Sequence, residues 1–273
     1  MSEIQLIALD LDGTLLDRND RLSARNRQAV EAALHAGVRV VLVTGRGTDV
    51  PARLVRELKL NLPAICAHGA LTKDFLSGRT LGHIPVPLVE AVAMIEYAEC
   101  NDLDLAIYSG ERFHRLHGAR LYMEDMKGPH WREVRSLIEV LHEAPTFLRF
   151  FGRRCVEAVQ RTFSDRPLLL RHEVFGKLEE CAVTSIEATK HRALERLCAD
   201  LRVARERVIA IGDSPNDLPM LRWAGLGVAM GNAPLVVRKD VRFVTAPCEE
   251  DGVAEAIERY VLNASVRRGP KSA

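Results

Sequence analysis

The chain has 273 residues, of which 47% are hydrophobic and 27% charged, and its net charge is +1. These are the values of an ordinary globular protein, and a nearly neutral chain carries no field that would recruit nucleic acid or an anionic membrane. Aromatic residues make up only 5%, which argues against base-stacking platforms, and no stretch approaches the ~18 apolar residues of a membrane span. The N-terminus enters a strand almost at once, without the basic and apolar regions of a signal peptide. The six cysteines, from Cys66 to Cys248, form no CxxC pair, so a zinc ribbon or thioredoxin-like site is not expected. A reducing cytoplasm is the expected location.

The run Leu6 to Leu9 reads as a strand buried on both faces, and it leads into Asp10-Leu11-Asp12-Gly13-Thr14. Residues two apart on an extended chain point to one side, and two like charges held that close need a cation or a shared proton. At the carboxyl end of a strand, where open α/β sheets bind ligands, this pattern points to a divalent metal, a carboxylate nucleophile and a second carboxylate that handles protons. Asp-Gly is also a common hairpin pair, and on this stretch alone the two readings are balanced.

A helix over 23–36, ended by Gly37, leads to a strand over 38–43 that runs into Thr44-Gly45-Arg46. A helix over 48–58 and a strand over 63–67, ending at His68-Gly69-Ala70, follow. This alternation predicts a parallel sheet covered by helices. The rhythm changes at residues 81–87, where Pro85 and Pro87 suggest a hinge. An amphipathic helix follows, with Leu88, Val92 and Ile95 on one face. Strands over 103–109 and 112–116, joined by Gly110-Glu111, precede strands over 146–151, 168–174 and 178–183, with a helix over 155–162 between the first two of these. The mixture predicts a small α+β domain over 83–185. Alternation resumes with a helix over 190–201, presenting Leu194, Leu197 and Leu201 on one face. A strand over 208–211 then ends in Gly212-Asp213-Ser214-Pro215-Asn216-Asp217. A helix from Pro215, strands over 226–229 and 242–245, and a helix from Gly252 complete the pattern, and residues 266–273 read as a frayed tail.

The DxDGT stretch, the Thr44-Gly45-Arg46 turn, the isolated Lys190 and the GDxxND stretch occur in the order of the four signature motifs of the haloacid dehalogenase superfamily, and the chain resembles that family. Gly227 to Ala233 and Glu250 to Ala254 resemble its Cof-like branch, subclass IIB. The resemblance implies an α/β fold: a Rossmann-like parallel-sheet core from residues 1–82 and 186–265, with an α+β cap over 83–185 inserted between the second and third motifs. It implies that the cap sets specificity, opening to admit substrate and closing to exclude water. The activity it implies is a Mg2+-dependent phosphatase of small phosphorylated metabolites (sugar phosphates, nucleotides or phosphorylated cofactors). A phosphomutase, or a non-catalytic metabolite-binding protein on the same fold, is the alternative. Partners other than substrate are not expected, and the chain is expected as a monomer or homodimer.

In this reading Asp10 is the nucleophile, forming an aspartyl-phosphate, and Asp12 is the general acid and base. Mg2+ prefers oxygen ligands held by one or two carboxylates; Asp10 and Asp213 would supply side chains, and the resemblance assigns the Asp12 carbonyl. Asp217 would orient metal-bound water. Thr44, the Gly45 amide, Lys190 and Asn216 would hold the phosphoryl oxygens. Arg46 reads as a substrate contact or a structural ion pair near the cap, the second being favoured. Asp17 and Asp240 read as turn or cap residues. The family's usual residue at position 68 is asparagine, so His68 is a departure; His191 stands where the family often has glycine and reads as a solvent-facing helix residue. The basic residues Arg112, His114, Arg115, Arg149, Arg153, Arg154 and Arg171 of the inserted domain read mostly as solvated surface.

Overall fold

The computed structural model describes residues 3–109, 111–116, 131–175 and 178–263. The tail expected over 266–273, and Gly110 of the expected hairpin, lie outside the described residues. Contacts divide the chain into two compact units, Met1–Gly82 with Thr189–Ala273, and His83–Ala188.

The first unit begins β1 (Leu6–Leu9), α1 (Ala24–His35), β2 (Arg39–Leu42), α2 (Asp49–Glu57), β3 (Ala64–Cys66), β4 (Leu71–Lys73) and β5 (Thr80–His83). The chain then forms α3 (Leu88–Cys100), β6 (Leu105–Ser109), β7 (Arg112–Leu116), β8 (Trp131–Val134), β9 (Phe147–Phe151), α4 (Arg153–Phe163), β10 (Leu168–Phe175) and β11 (Leu178–Ser185). It returns to the first unit with α5 (Lys190–Asp200), β12 (Val208–Gly212), α6 (Leu218–Trp223), β13 (Leu226–Ala229), α7 (Leu235–Arg238), β14 (Phe243–Val244) and α8 (Gly252–Ile257).

The first unit holds a five-stranded parallel sheet in the order β14-β13-β12-β1-β2. Leu6, Ile7, Ala8 and Leu9 are all fully buried, which is why β1 is apolar throughout rather than alternating. Leu6, Ala8, Val41 and Val208 pack with Leu194 and Leu197 of α5; full burial of each leucine stabilises by roughly 1.5–3 kcal/mol. Ser23 caps α1 by accepting from the Asn26 amide, and Gly37, at φ 79°, follows its end. Asn26 in turn accepts from the Ala254 amide at 2.9 Å, tying α1 to α8.

The strand expected over 63–67 does not extend this sheet as a full ladder. Ile65 bridges Val43 in parallel, but β3 pairs antiparallel with β4 in a separate three-stranded sheet, β3-β4-β5. Residues read as the approach to a hinge are therefore strand β5. Asp74 shapes the turn before it, accepting from the Leu76 amide at 2.9 Å. The helix expected from Pro215 begins at Leu218, because Ser214 to Asp217 are folded into a loop over the Asp217 carboxylate.

The second unit is a six-stranded sheet in the order β10-β11-β9-β6-β7-β8. All neighbours are antiparallel except β7 and β8. Helices α3 and α4 cover one face, where Met94, Ile95, Val156 and Val159 pack on Ile107, Leu148, Phe150 and Val183. The buried stripe of α3 is Ala91, Met94, Ile95 and Ala98; Leu88, expected on the core face, is 47% exposed. Strand β8 was absent from the sequence pattern, since Arg132 and Glu133 break its apolar run.

The basic residues of this unit are more engaged than a solvated surface implies. Cross-strand register aligns Arg171, Ala182, Arg149, Ala106, Arg115 and Glu133 in one row. Arg149 pairs with buried Glu180 at 2.7 Å, and Arg115 with Glu133 at 2.6 Å. Arg153 pairs with Glu157, and Arg154 donates to the Asn101 carbonyl. Arg171 donates to Thr184 Oγ1 at 2.6 Å and to the Ala188 carbonyl at 3.1 Å; its burial pushes the guanidinium pKa down to about 10.

Candidate active site

Because β1 lies between β2 and β12, three loops meet at its carboxyl end. Leu9 is level with Leu42 on one side and Ile211 on the other, so Asp10, Thr44 and Asp213 leave the sheet side by side. The chain turns one way from β1 to β2 and returns on the other side at β12, and such a switch point is where open α/β sheets make their crevice.

Asp10 is 4% exposed, and Lys190, the first residue of α5, is 3% exposed. Lys190 Nζ donates to Asp10 Oδ1 at 2.6 Å and to Asp217 Oδ1 at 2.7 Å. The other Asp217 oxygen accepts from the Asp213 amide at 3.2 Å, the Ser214 amide at 3.0 Å and Ser214 Oγ at 2.8 Å. Both oxygens of Asp217 are thus occupied by the protein, so it braces the site more than it faces it.

Asp10, Asp213 and Asp217 present oxygens that all lie within 4.8 Å of one another. Burial, followed by the neighbouring Asp217 charge, raises the Asp10 pKa well above the usual carboxylate range, against the opposing pull of Lys190. The same two causes push Asp213 up to about 7. Burial works against the Lys190 charge, and the Asp10 and Asp217 carboxylates outweigh it, raising its pKa. One ammonium against two buried carboxylates and the half-buried Asp213 leaves an excess of negative charge, and a hard oxygen-donor set of this kind fits a hard divalent cation.

Asp12 stands apart from that cluster. Arg46 Nε reaches both Asp12 oxygens at 2.9 Å, and the same guanidinium pairs with Asp20. The ion pair expected of Arg46 exists, but it is shared between exposed Asp20 and the proposed proton-transfer residue itself. Asp12, Asp20 and Arg46 lie far apart in sequence, so no local pattern could have shown the contact. Thr44 is fully buried and its Oγ1 accepts from the Arg46 amide at 3.1 Å, which leaves its hydroxyl proton available to another acceptor. Asn216 is half-buried; its Oδ1 accepts from Ser214 Oγ at 2.6 Å, and its amide lies 3.5 Å from His68 Nδ1.

Asn232 was not singled out in the sequence. Its amide nitrogen donates to the Gly13 carbonyl at 2.8 Å and contacts Asp213 Oδ2 at 3.3 Å, while its Oδ1 accepts from the Cys248 amide at 2.9 Å. The signal was its place in the Gly231-Asn232-Ala233 stretch. Gly13 has φ 70°, and a Cβ there would come within 2.4 Å of Asp213 Oδ2, so this turn admits only glycine. Asp17 accepts from the Asn19 and Arg21 amides in a turn, and Asp240 pairs with Arg222. His191 is not solvent-facing: its ring lies 5.8 Å from that of Trp223, and burial lowers its pKa.

The fold and the site define an α/β protein with an aspartate-centred site at a parallel-sheet switch point. A sequence profile for haloacid dehalogenase-like hydrolases matches residues 7–257. The chain is 30% identical over 266 residues to a 5-amino-6-(5-phospho-D-ribitylamino)uracil phosphatase of Bacillus subtilis, covering 95% of this chain and 97% of that one. It is 27% identical over 278 residues to the pyridoxal phosphate phosphatase YbhA of Escherichia coli, covering 94% and 99%. A haloacid dehalogenase-like hydrolase from Bacteroides thetaiotaomicron superposes with a TM-score of 0.84 at 28% identity, covering 94% of this chain and 99% of that one. The chain belongs to the haloacid dehalogenase-like hydrolase family, as a phosphoric monoester hydrolase of its Cof-like branch. Among the described residues no helix is long and apolar enough to cross a membrane.

Proposed function

We propose that the protein is a Mg2+-dependent phosphatase of small phosphorylated metabolites that works through an aspartyl-phosphate on Asp10. The observation that carries this reading is the buried Asp10–Lys190–Asp217 arrangement beside Asp213. Asp10 and Asp213, with the Asp12 carbonyl, would hold Mg2+, which supplies positive charge to offset the substrate dianion. Lys190 keeps Asp10 oriented and adds a compact cation where charge develops.

In the first step an Asp10 oxygen bonds to phosphorus as the bond to the leaving oxygen breaks, and Asp12 gives that oxygen its proton. In the second step water attacks phosphorus, Asp12 takes the water's proton, and the Asp10 carboxylate is released with phosphate. Arg46 holds the Asp12 side chain in one place between the two transfers. The Thr44 hydroxyl, the Gly45 amide and the Asn216 amide are the donors for phosphoryl oxygens.

The relatives named above act on pyridoxal phosphate and on a ribitylaminouracil phosphate, both compact phosphate monoesters. We extend that substrate class to this chain, and assign selection among its members to residues 83–188 acting as a cap. We further place it in the cytoplasm, as a monomer or homodimer without nucleic-acid or membrane partners. Hydrolysis of para-nitrophenyl phosphate and of a panel of phosphorylated metabolites, with and without Mg2+, tests the reading. Full activity after exhaustive EDTA treatment would refute the metal role of Asp10 and Asp213.

A further inference from the structure

The turn Ala67–Gly69 after β3 is strained. Ala67 and His68 both have left-handed backbone, at φ 50° and 56°, a conformation disfavoured for any residue with a Cβ. Two such residues in a row persist only where the surroundings determine them. Their amides are both used on one loop: Ala67 N–H donates to the Arg46 carbonyl at 2.7 Å, and His68 N–H to the Thr44 carbonyl at 3.0 Å. In a planar trans peptide the N–H points opposite to the C=O. Tying down the Thr44 carbonyl therefore fixes the direction of the Gly45 N–H, which has no acceptor among the described residues.

The His68 side chain completes the arrangement. It is 1% exposed. A Cβ added at Gly45 would fall 2.4 Å from His68 Cε1, 2.8 Å from Nε2 and 2.9 Å from Nδ1, so the imidazole lies directly on Gly45. Positive φ is absent at Gly45, so the ring of residue 68, and not backbone conformation, requires glycine at 45. On its other side His68 Nδ1 stands 3.5 Å from the Asn216 amide. The next residue, Gly69, abuts the Thr189 and Lys190 backbone, where a Cβ would come within 2.2 Å of the Thr189 carbonyl. One strained turn thus touches three segments that carry proposed phosphate-holding groups: Gly45, Asn216 and the start of α5.

We propose that His68 is a positioning residue for phosphate: its buried ring seats Gly45 and spaces it from Asn216, so that their amides converge on one phosphoryl group. This rests on the phosphatase reading above and adds to it a residue that touches no substrate.

The test is the inhibition constant of inorganic phosphate against Mg2+-dependent hydrolysis of para-nitrophenyl phosphate by the full chain. His68→Gly keeps the left-handed backbone and the N–H but removes the ring; it is expected to raise the phosphate Ki and the substrate KM about tenfold, with a smaller change in kcat. Gly45→Ala, which drives a methyl into the ring, is expected to raise Ki about a hundredfold. The double variant removes the clash and is expected to return to the level of His68→Gly alone, while the rise in Ki and KM at nearly constant kcat separates a positioning role from a general loss of structure. If His68→Gly fails to fold by circular dichroism, His68→Ala takes its place with the same expectations. A His68→Gly Ki within about twofold of wild type, smaller than any positional effect considered, overturns the proposal, as does a double variant no better than Gly45→Ala. A wild-type protein that neither hydrolyses nor binds phosphate overturns the phosphatase reading together with this one, whereas an active wild type with unaffected variants overturns this one alone.

Discussion

One ammonium, that of Lys190, donates to both Asp10 and Asp217, and all three groups are buried. Replacing Lys190 by alanine strands two buried carboxylates, and removing one partner of a buried ion pair costs about 3–5 kcal/mol. Thermal unfolding of Lys190→Ala in EDTA should show a loss of that order; an unchanged Tm would mean that the pair is not buried. Asp213 gives a pH prediction. Its folded pKa of about 7 lies above its ordinary value of 3.8, so its contribution to stability is present below that ordinary value and lost as pH rises through about 7. Metal-free wild type should therefore lose stability across that window relative to Asp213→Asn, and Mg2+ should reverse the difference at neutral pH. Equal slopes for the two proteins would contradict the assignment. Asp10 and Asp12 are legible in the sequence because the strand run and the carboxylate pair lie in one local stretch, whereas the partners of Arg46 and Asn232 are not, because both contacts close long loops whose paths no local pattern encodes.

At the scale of elements, buried parallel strands were the clearest signal. A strand covered on both faces is apolar where it is buried: β1, β12 and β13 carry no polar side chain, and β2 is apolar after the half-buried Arg39. Elements with mixed surfaces were harder to see. Strand β8 carries Arg132 and Glu133 in its middle, and β4 and β5 are short, with residues 80, 81 and 83 exposed. On α3 two apolar stripes compete, and only packing on the second unit's sheet selects Met94 and Ile95 over Leu88. Helix α1 gives a prediction independent of chemistry. Ser23 Oγ accepts from the Asn26 amide at 3.0 Å, and loss of such a cap costs about 1 kcal/mol. Ser23→Ala should lower the urea midpoint accordingly and leave kcat unchanged; a loss of activity at unchanged stability would show that α1 acts on the site in another way.

For the whole molecule, the four motif segments all fall in one compact unit although 106 residues, His83 to Ala188, separate its two parts in the chain. The sheet explains this, because β1 needs β12 as a partner on the side opposite β2. A chain in which residues 84–187 are replaced by a short flexible linker should fold and keep para-nitrophenyl phosphatase activity while losing preference among natural substrates. If that core is soluble and folded but inactive, the second unit contributes to the chemical step, and its assignment to specificity alone is wrong.

If Asp10 carries the phosphoryl group, the phosphorylated enzyme can be trapped. The most direct measurement is acid-quenched mass spectrometry of Asp12→Asn mixed with para-nitrophenyl phosphate and Mg2+. That leaving group needs little proton donation, so the first step should proceed while the second, deprived of its base, stalls. One phosphoryl group is expected on the peptide containing Asp10 and none in Asp10→Asn, whose turnover should fall by several orders of magnitude. No phosphopeptide, together with Asp10→Asn retaining more than about a tenth of the wild-type kcat, or ~1.4 kcal/mol of barrier, would contradict it.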